Sequence, residues 1–522
     1  MRRAGRVLTA VFVVTTLGAA SAQQDPIERI REAEIKQDLF VLAGDAMRGR
    51  EGGTLDEMTA SAWVAERARD AGLLPAGDNG TYFQFFPLER TRVSMSSTVT
   101  LGGAALHMGR DVVVDTPVLA NVDAPIVIVA ADSLPASPAA PAQATPAAAQ
   151  TAGARSEKPS SAPLPDLKGK VLVVRYAAPA GPGNALRTWI RGIQRAVTPA
   201  PPEAIVALVP ESASDQWARV AATVPRGTYG LDPDGTAEPR VPPRAMPLLY
   251  IREAALGRAL GADARLTASI SADTFTYPSV NVIAKVPGRD PALATQYVLF
   301  SAHQDHDGER YPVNGDAIWN GADDNATTAV ALLAIGRAMS ASPPRRSTLF
   351  IWHGSEERGL MGSRWYVKHP TVPLQSVVAV LNGDMMGRND PTQAALLGAL
   401  PPHRNSPELV QMAMAANTAV AGFTVDSSWD DPQHREGWYY RSDHLPYARA
   451  GVPALFFTTL LHADYHTPFD NPDRIDLAKL TRMTRWMYAT GRAAADADRA
   501  PALDPAFKLE RCTDYTGKYC DE

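Results

Sequence analysis

An alternation that begins at "YPSVNVIAKVPG" and runs to the C-terminal region constrains the fold most. Short runs rich in Val, Ile, Leu and Phe stand at 296–302, 347–352, 376–382 and 453–459. Stretches with helical spacing separate them, at 325–340, 359–369 and 407–422, and a long closing helix is expected over 476–497. Strands that take turns with helices build a largely parallel sheet covered on both faces. The predicted fold class is therefore α/β: a three-layer αβα sandwich around a mostly parallel mixed sheet.

The residues just past each strand carry the chemistry. "HQDHDG" comes after the first, "HGSEE" after the second, "GDMMG" after the third and "LLHADYHTPFD" after the last, while "GADDNATT" opens the helix after the first strand. Ligands of open α/β sheets gather at the carboxyl ends of the strands. A mixture of imidazole and carboxylate converging there suits zinc. Glu356 and Glu357 stand side by side, and adjacent carboxylates repel unless something cationic lies between or beside them.

The remaining sequence sets the context. The chain has 522 residues, 45% of them hydrophobic and 20% charged, which fits a soluble protein of two or three domains. A basic start, "MRRAGR", precedes an apolar run and Ala20-Ser21-Ala22, the pattern of a cleaved signal peptide over 1–22. Export is expected, to the periplasm or beyond the cell, with no stable membrane insertion afterwards. Loss of Arg2, Arg3 and Arg6 takes the formal charge from −5 to −8, which argues against nucleic acid as a partner. Two helices are expected over 25–44 and 54–72, within an N-terminal helical part spanning 23–92. Residues 93–272 read as a β-rich insert, and 134–165, almost all Pro, Ala, Ser, Thr and Gln, as a disordered surface linker. The catalytic domain then spans 273–522. Cys512 and Cys520 are close enough in sequence for a local disulfide.

The segments "SAHQDH", "GADDNATT", "SEERGLMGS", "NGDMMG" and "YHTPFDNPD" together resemble metallopeptidase family 28, whose members are co-catalytic di-zinc exopeptidases. The region around "DLKGKVLVV" is similar to the protease-associated domain that many members carry as an insert. The resemblance implies a zinc-exopeptidase-like fold and two zinc ions per chain. His303 and Asp384 would hold one, Glu357 and His466 the other, and Asp324 would bridge them. Both Asp323 and Asp324 offer a carboxylate there, and the family's spacing favours Asp324. Members often have a cis peptide after the bridging residue, here Asp324–Asn325. Asp305 would fix the tautomer of the His303 ring. Glu356 would act as general base, and Tyr465 would meet the developing oxyanion.

His306, His353 and His444 are read as structural or pocket-lining, since the five-ligand set is complete without them. His462 is set aside in favour of His466. Peptides are the expected substrates, and an aminopeptidase is the favoured activity. A carboxypeptidase of the same family would need a cationic pocket, for which Arg388, Arg435 and Arg441 are candidates. A glutaminyl cyclase or a non-catalytic receptor-like member are the further alternatives.

Overall fold

A computed structural model describes residues 25–130, 165–177, 185–231, 246–261 and 263–509. The expected signal peptide, residues 134–164 of the expected linker and both cysteines lie outside them. The strands Tyr297–His303, Ser347–His353, Val377–Gly383 and Ala454–Thr458 form the parallel heart of a ten-stranded sheet. The first two run in register, so His303 pairs with His353 at the carboxyl edge. Antiparallel strands extend both sides: Ala272–Val286 and Phe83–Val93 on one, Gln393–Leu397 on the other.

The strands bury both faces, as a covered sheet requires. Val298 and Phe300 pack with the helices Glu32–Leu42, Leu55–Asp70, Thr327–Ala341 and Leu477–Asp496. Leu299, Ile351 and Val380 turn the other way, towards Tyr366 of the helix Met361–Lys368 and Tyr447 of His444–Arg449. This makes the three-layer αβα sandwich that the alternation predicts. No helix among the described residues is long and apolar enough to cross a membrane.

An eight-stranded sheet occupies most of the stretch between residues 98 and 270. Its parallel centre, Ala120–Val129, Val171–Arg175, Ala204–Val209 and Leu248–Arg252, packs one face on helices Ala185–Val197 and Ser214–Thr223. One segment does not stay there. Thr228–Leu231 crosses back to pair antiparallel with Phe83–Val93 and becomes an edge of the large sheet. The expected helix over 25–44 is also interrupted: a short 3₁₀ turn ends at Arg29, and extended Arg31 precedes the helix proper.

Arg50 locks the N-terminal part onto the carboxyl edge of the sheet. Its fully buried guanidinium donates to the carbonyls of Leu42, Gln304, Asn320 and Gly321 at 2.7–2.9 Å. Four carbonyls on one cation satisfy a group that burial alone would exclude.

Candidate metal centre

Each sequence-predicted ligand sits where a strand or turn ends. His303 is the last residue of its strand, and Asp384 follows Gly383 directly. Glu356 and Glu357 begin a 3₁₀ turn after Ser355, which adopts a left-handed φ of 52°. Gly354 passes so close to Val280 that a Cβ there would lie 2.4 Å from its carbonyl oxygen. That crowding explains the glycine and brings the glutamates over the sheet edge. Asp324 lies in the turn Ala322–Ala326 that starts the next helix, and the Asp324–Asn325 peptide is cis. His466, in the loop after the last parallel strand, also has a left-handed φ, of 49°.

Two clusters result, and Asp324 belongs to both. His303 Nε2 is 3.3 Å from Asp324 Oδ1 and 3.5 Å from Asp384 Oδ1. On the other side, His466 Nε2 is 3.0 Å from Asp324 Oδ2 and 3.1 Å from Glu357 Oε2. His306 joins this second group, its Nδ1 2.8 Å from Glu357 Oε1. Atoms bound about 2.1 Å from one zinc stand roughly 3.0–3.4 Å apart at right to tetrahedral angles. The observed separations cluster around those polyhedron edges. Yet His303 Nε2, both ring nitrogens of His306, Glu357 Oε1 and Asp384 Oδ1 are buried with no hydrogen-bond partner. Buried polar atoms left unpaired within a few ångströms of one another fit a cation, and the donor set fits zinc.

The electrostatics agree. Burial pushes Glu356 well above the usual carboxylate range, with His303 opposing and Asp443, Asp384 and Glu357 adding to the rise. Burial works against the Glu357 anion too, but His466 and His306 hold it well below that range. The adjacent glutamates are thus driven in opposite directions. Asp443, wholly buried near this cluster, is raised to about 7 by burial. So much buried acid is costly without cationic charge to face it.

Several side chains have partners other than those expected. The Asp305 carboxylate lies 3.8 Å from His303 Nδ1; it is the Asp305 backbone carbonyl that faces that nitrogen, at 3.1 Å. The carboxylate instead accepts from the backbone N–H of Glu356 and of Glu357, at 3.0 and 3.3 Å, and so fixes the turn carrying both. Asp384 is held from behind by the Ser442 hydroxyl at 2.8 Å. Asp323 points away from the two clusters, accepting from Gly387 N at 2.7 Å, with His462 Nε2 3.5 Å from its other oxygen. Tyr465 stacks on the His466 ring at 3.9 Å and accepts from Arg441, and burial raises its phenol so that it keeps its proton. His353 and His444 are buried and lowered to about 3 by that burial, as structural imidazoles. His306, read from the sequence as structural or pocket-lining, stands beside Glu357 within the second group. It comes three residues after His303, past the same strand end.

Residues 281–491 match the model of peptidase family M28. The likeness to that family is carried by this segment. A probable leucine aminopeptidase of Arthroderma otae is 28% identical over 195 residues, covering 36% of this chain and 49% of that one. Leupeptin-inactivating enzyme 1 of Streptomyces exfoliatus is 29% identical over 176 residues, covering 33% and 34%. The chain thus spans about half the length, or less, of the curated relatives it matches. Among solved structures, a zinc aminopeptidase from Bacillus subtilis superposes with a TM-score of 0.55 at 16% identity, over 92% of this chain and 98% of that one. An aminopeptidase from Aneurinibacillus sp. strain AM-1 gives 0.53 at 18% identity over the same shares. These likenesses establish the fold.

Proposed function

We propose that this family M28 chain is a zinc-dependent aminopeptidase that holds two zinc ions and releases N-terminal residues from peptides. The observation that carries this is the pair of orphaned ligand clusters meeting on opposite oxygens of Asp324. His303 and Asp384 would hold one ion, and Glu357, His466 and His306 the other. Bound zinc would supply Lewis-acid polarisation of the scissile carbonyl and acidify the attacking water.

The chain's own groups do the rest. Glu356 takes the proton of the attacking water and delivers it to the leaving amine. Asp305, by gripping the backbone of residues 356 and 357, keeps base and ligand apart. Tyr465, protonated and stacked on His466, donates to the oxyanion as the carbonyl is attacked. The carboxylates gathered at the site, Glu356 and Asp384 among them, suit a free α-ammonium.

The carboxypeptidase alternative needs a spare cation, and its candidates are engaged. Arg388 donates to Asp464 at 2.6 Å, Arg435 pairs with Glu436, and Arg441 pairs with Glu436 while lying on the Trp438 ring. The basic and apolar segment before Gln23 supports export of the enzyme. The eight-stranded sheet supports reading the middle of the chain as an insert of the protease-associated type. The experiment is hydrolysis of leucyl peptides with free and N-acetylated termini. Acetylation should abolish turnover; cleavage of acetylated peptides at the C-terminus would replace this reading with the carboxypeptidase.

A further inference from the structure

A second concave site shares no lining residue with the two clusters and lies where the small sheet meets the large one. It is a cleft of about 220 Å³ whose lining includes Arg90, Arg92, Arg226 and Arg310. Arg90 and Arg92 come from the strand Phe83–Val93, Arg226 from the turn before the crossing segment, and Arg310 from Gly308–Val313. Four guanidinium groups around one small space repel one another unless anions are close.

The described residues supply too few. Glu51 is shared among Arg310 at 2.9 Å and Arg90 and Arg358 at 3.9 Å. Asp307 is shared between Arg226 and Arg358. Glu309 also lines the cleft, but it is taken by Arg48. Arg92 has no carboxylate partner among the described residues and lies instead 5.2 Å over the Phe275 ring. Arg90, Arg226, Arg310 and Arg358 therefore share two carboxylates, and Arg92 pairs with neither. The Nε atoms of Arg92, Arg226 and Arg310 are buried and without a hydrogen-bond partner, and the Arg310 side chain as a whole is only 9% exposed. A buried donor left unpaired is expensive, and three around one cleft mark a place built to be filled. The Arg226 guanidinium is lowered to about 10 by burial and by Arg310 and Arg358 beside it, against the pull of Asp307.

The opposite wall is apolar. Met108, Val113 and Ala222 line it, and Met95 stands exposed at the mouth. We propose that this cleft binds a small organic carboxylate, its oxyanion on Arg92 and Arg226 and its apolar body against Met108, Val113 and Ala222. Carboxylates satisfy guanidinium groups in pairs of short, charge-assisted hydrogen bonds. The ligand would tie the small sheet to the strand that comes after His306 and Asp307.

N-acetyl-leucine is a suitable probe, because it has a carboxylate and an apolar side chain but no free amine. Titration calorimetry on the full chain should show saturable one-to-one binding, and N-acetyl-leucine amide should not bind. Arg92→Ala, at a half-buried position, should weaken binding by roughly tenfold or more without altering thermal stability. Binding should survive dialysis against EDTA, which separates this site from the metal centre and from the peptidase reading. Four results would each overturn the proposal: no binding, equal binding of the amide, affinity unchanged by Arg92→Ala, or loss on EDTA treatment. Inorganic phosphate binding more tightly than N-acetyl-leucine would overturn the apolar half of the assignment.

Discussion

Glu356→Gln and Glu357→Gln change neighbouring residues by the same atom, yet they should fail in different ways. Both backbone amides stay on Asp305, so neither change frees the turn. Glu356 keeps its nearest oxygen 3.8 Å from His303 Nε2, outside the ligand edges. Its amide analogue retains shape but accepts no proton, so kcat should fall by roughly 10²–10⁴ with KM and zinc content near wild type. Glu357 is different, because its two oxygens lie 2.8 and 3.1 Å from His306 and His466 and its side chain is 4% exposed. Unit charges 4 Å apart at an effective dielectric of 20 interact by about 4 kcal/mol. Removing one at shorter range should therefore weaken metal binding about 10³-fold or more. Dialysis followed by elemental analysis gives the metal content, and initial rates at added zinc show whether activity returns. Glu357→Gln should lose metal and recover partly; Glu356→Gln should do neither. If Glu356→Gln loses its metal while Glu357→Gln keeps it, the roles assigned to the pair are reversed.

Asp324→Asn should lower occupancy of both zinc positions, whereas Asp323→Asn should retain them. Burial and Asp470 already push Asp323 well above the carboxylate range, so the amide resembles its protonated form; elemental analysis of both variants decides. His444, wedged between Tyr439 and Phe456, is lowered from 6.5 to about 3 by burial, with His403 adding to the fall. The unfolded chain therefore takes up a proton below pH 6.5 that the fold refuses until about pH 3. Stability is complete above that window and declines through it, by up to about 1.4 kcal/mol per pH unit from this residue. Urea unfolding at pH 4–6 should show His444→Gln with a slope shallower by about one proton, and an unchanged slope would refute the reasoning.

The alternation was readable because each parallel strand is buried on both faces, and the site because its chemistry clusters at one end of those strands. Partner choice was less readable. Nothing in "HQDHDG" says that the Asp305 carboxylate reaches across to residues 356 and 357, a contact 51 residues away. The sequence offers no sign that the His306 ring lies beside Glu357; packing brings it there. Thr228–Leu231 sits in a stretch that otherwise builds the small sheet. Its return to Phe83–Val93 depends on the tertiary edge it completes, and its own residues do not announce it.

Arg50 gives the molecule a timetable. Its contact to Gln304 spans 254 residues, and that to Asn320 spans 270. Gln304 adjoins His303, and Gly321 begins the turn holding Asp324, so an arginine made early waits for loops made much later. His466 is later still. During synthesis a growing chain has the clamp long before it has anything to clamp, and a fragment stopped before His466 would lack one side of the paired clusters around Asp324. On the proposed function, hydrolytic competence would arrive late and all together, and partly made copies would be silent ones.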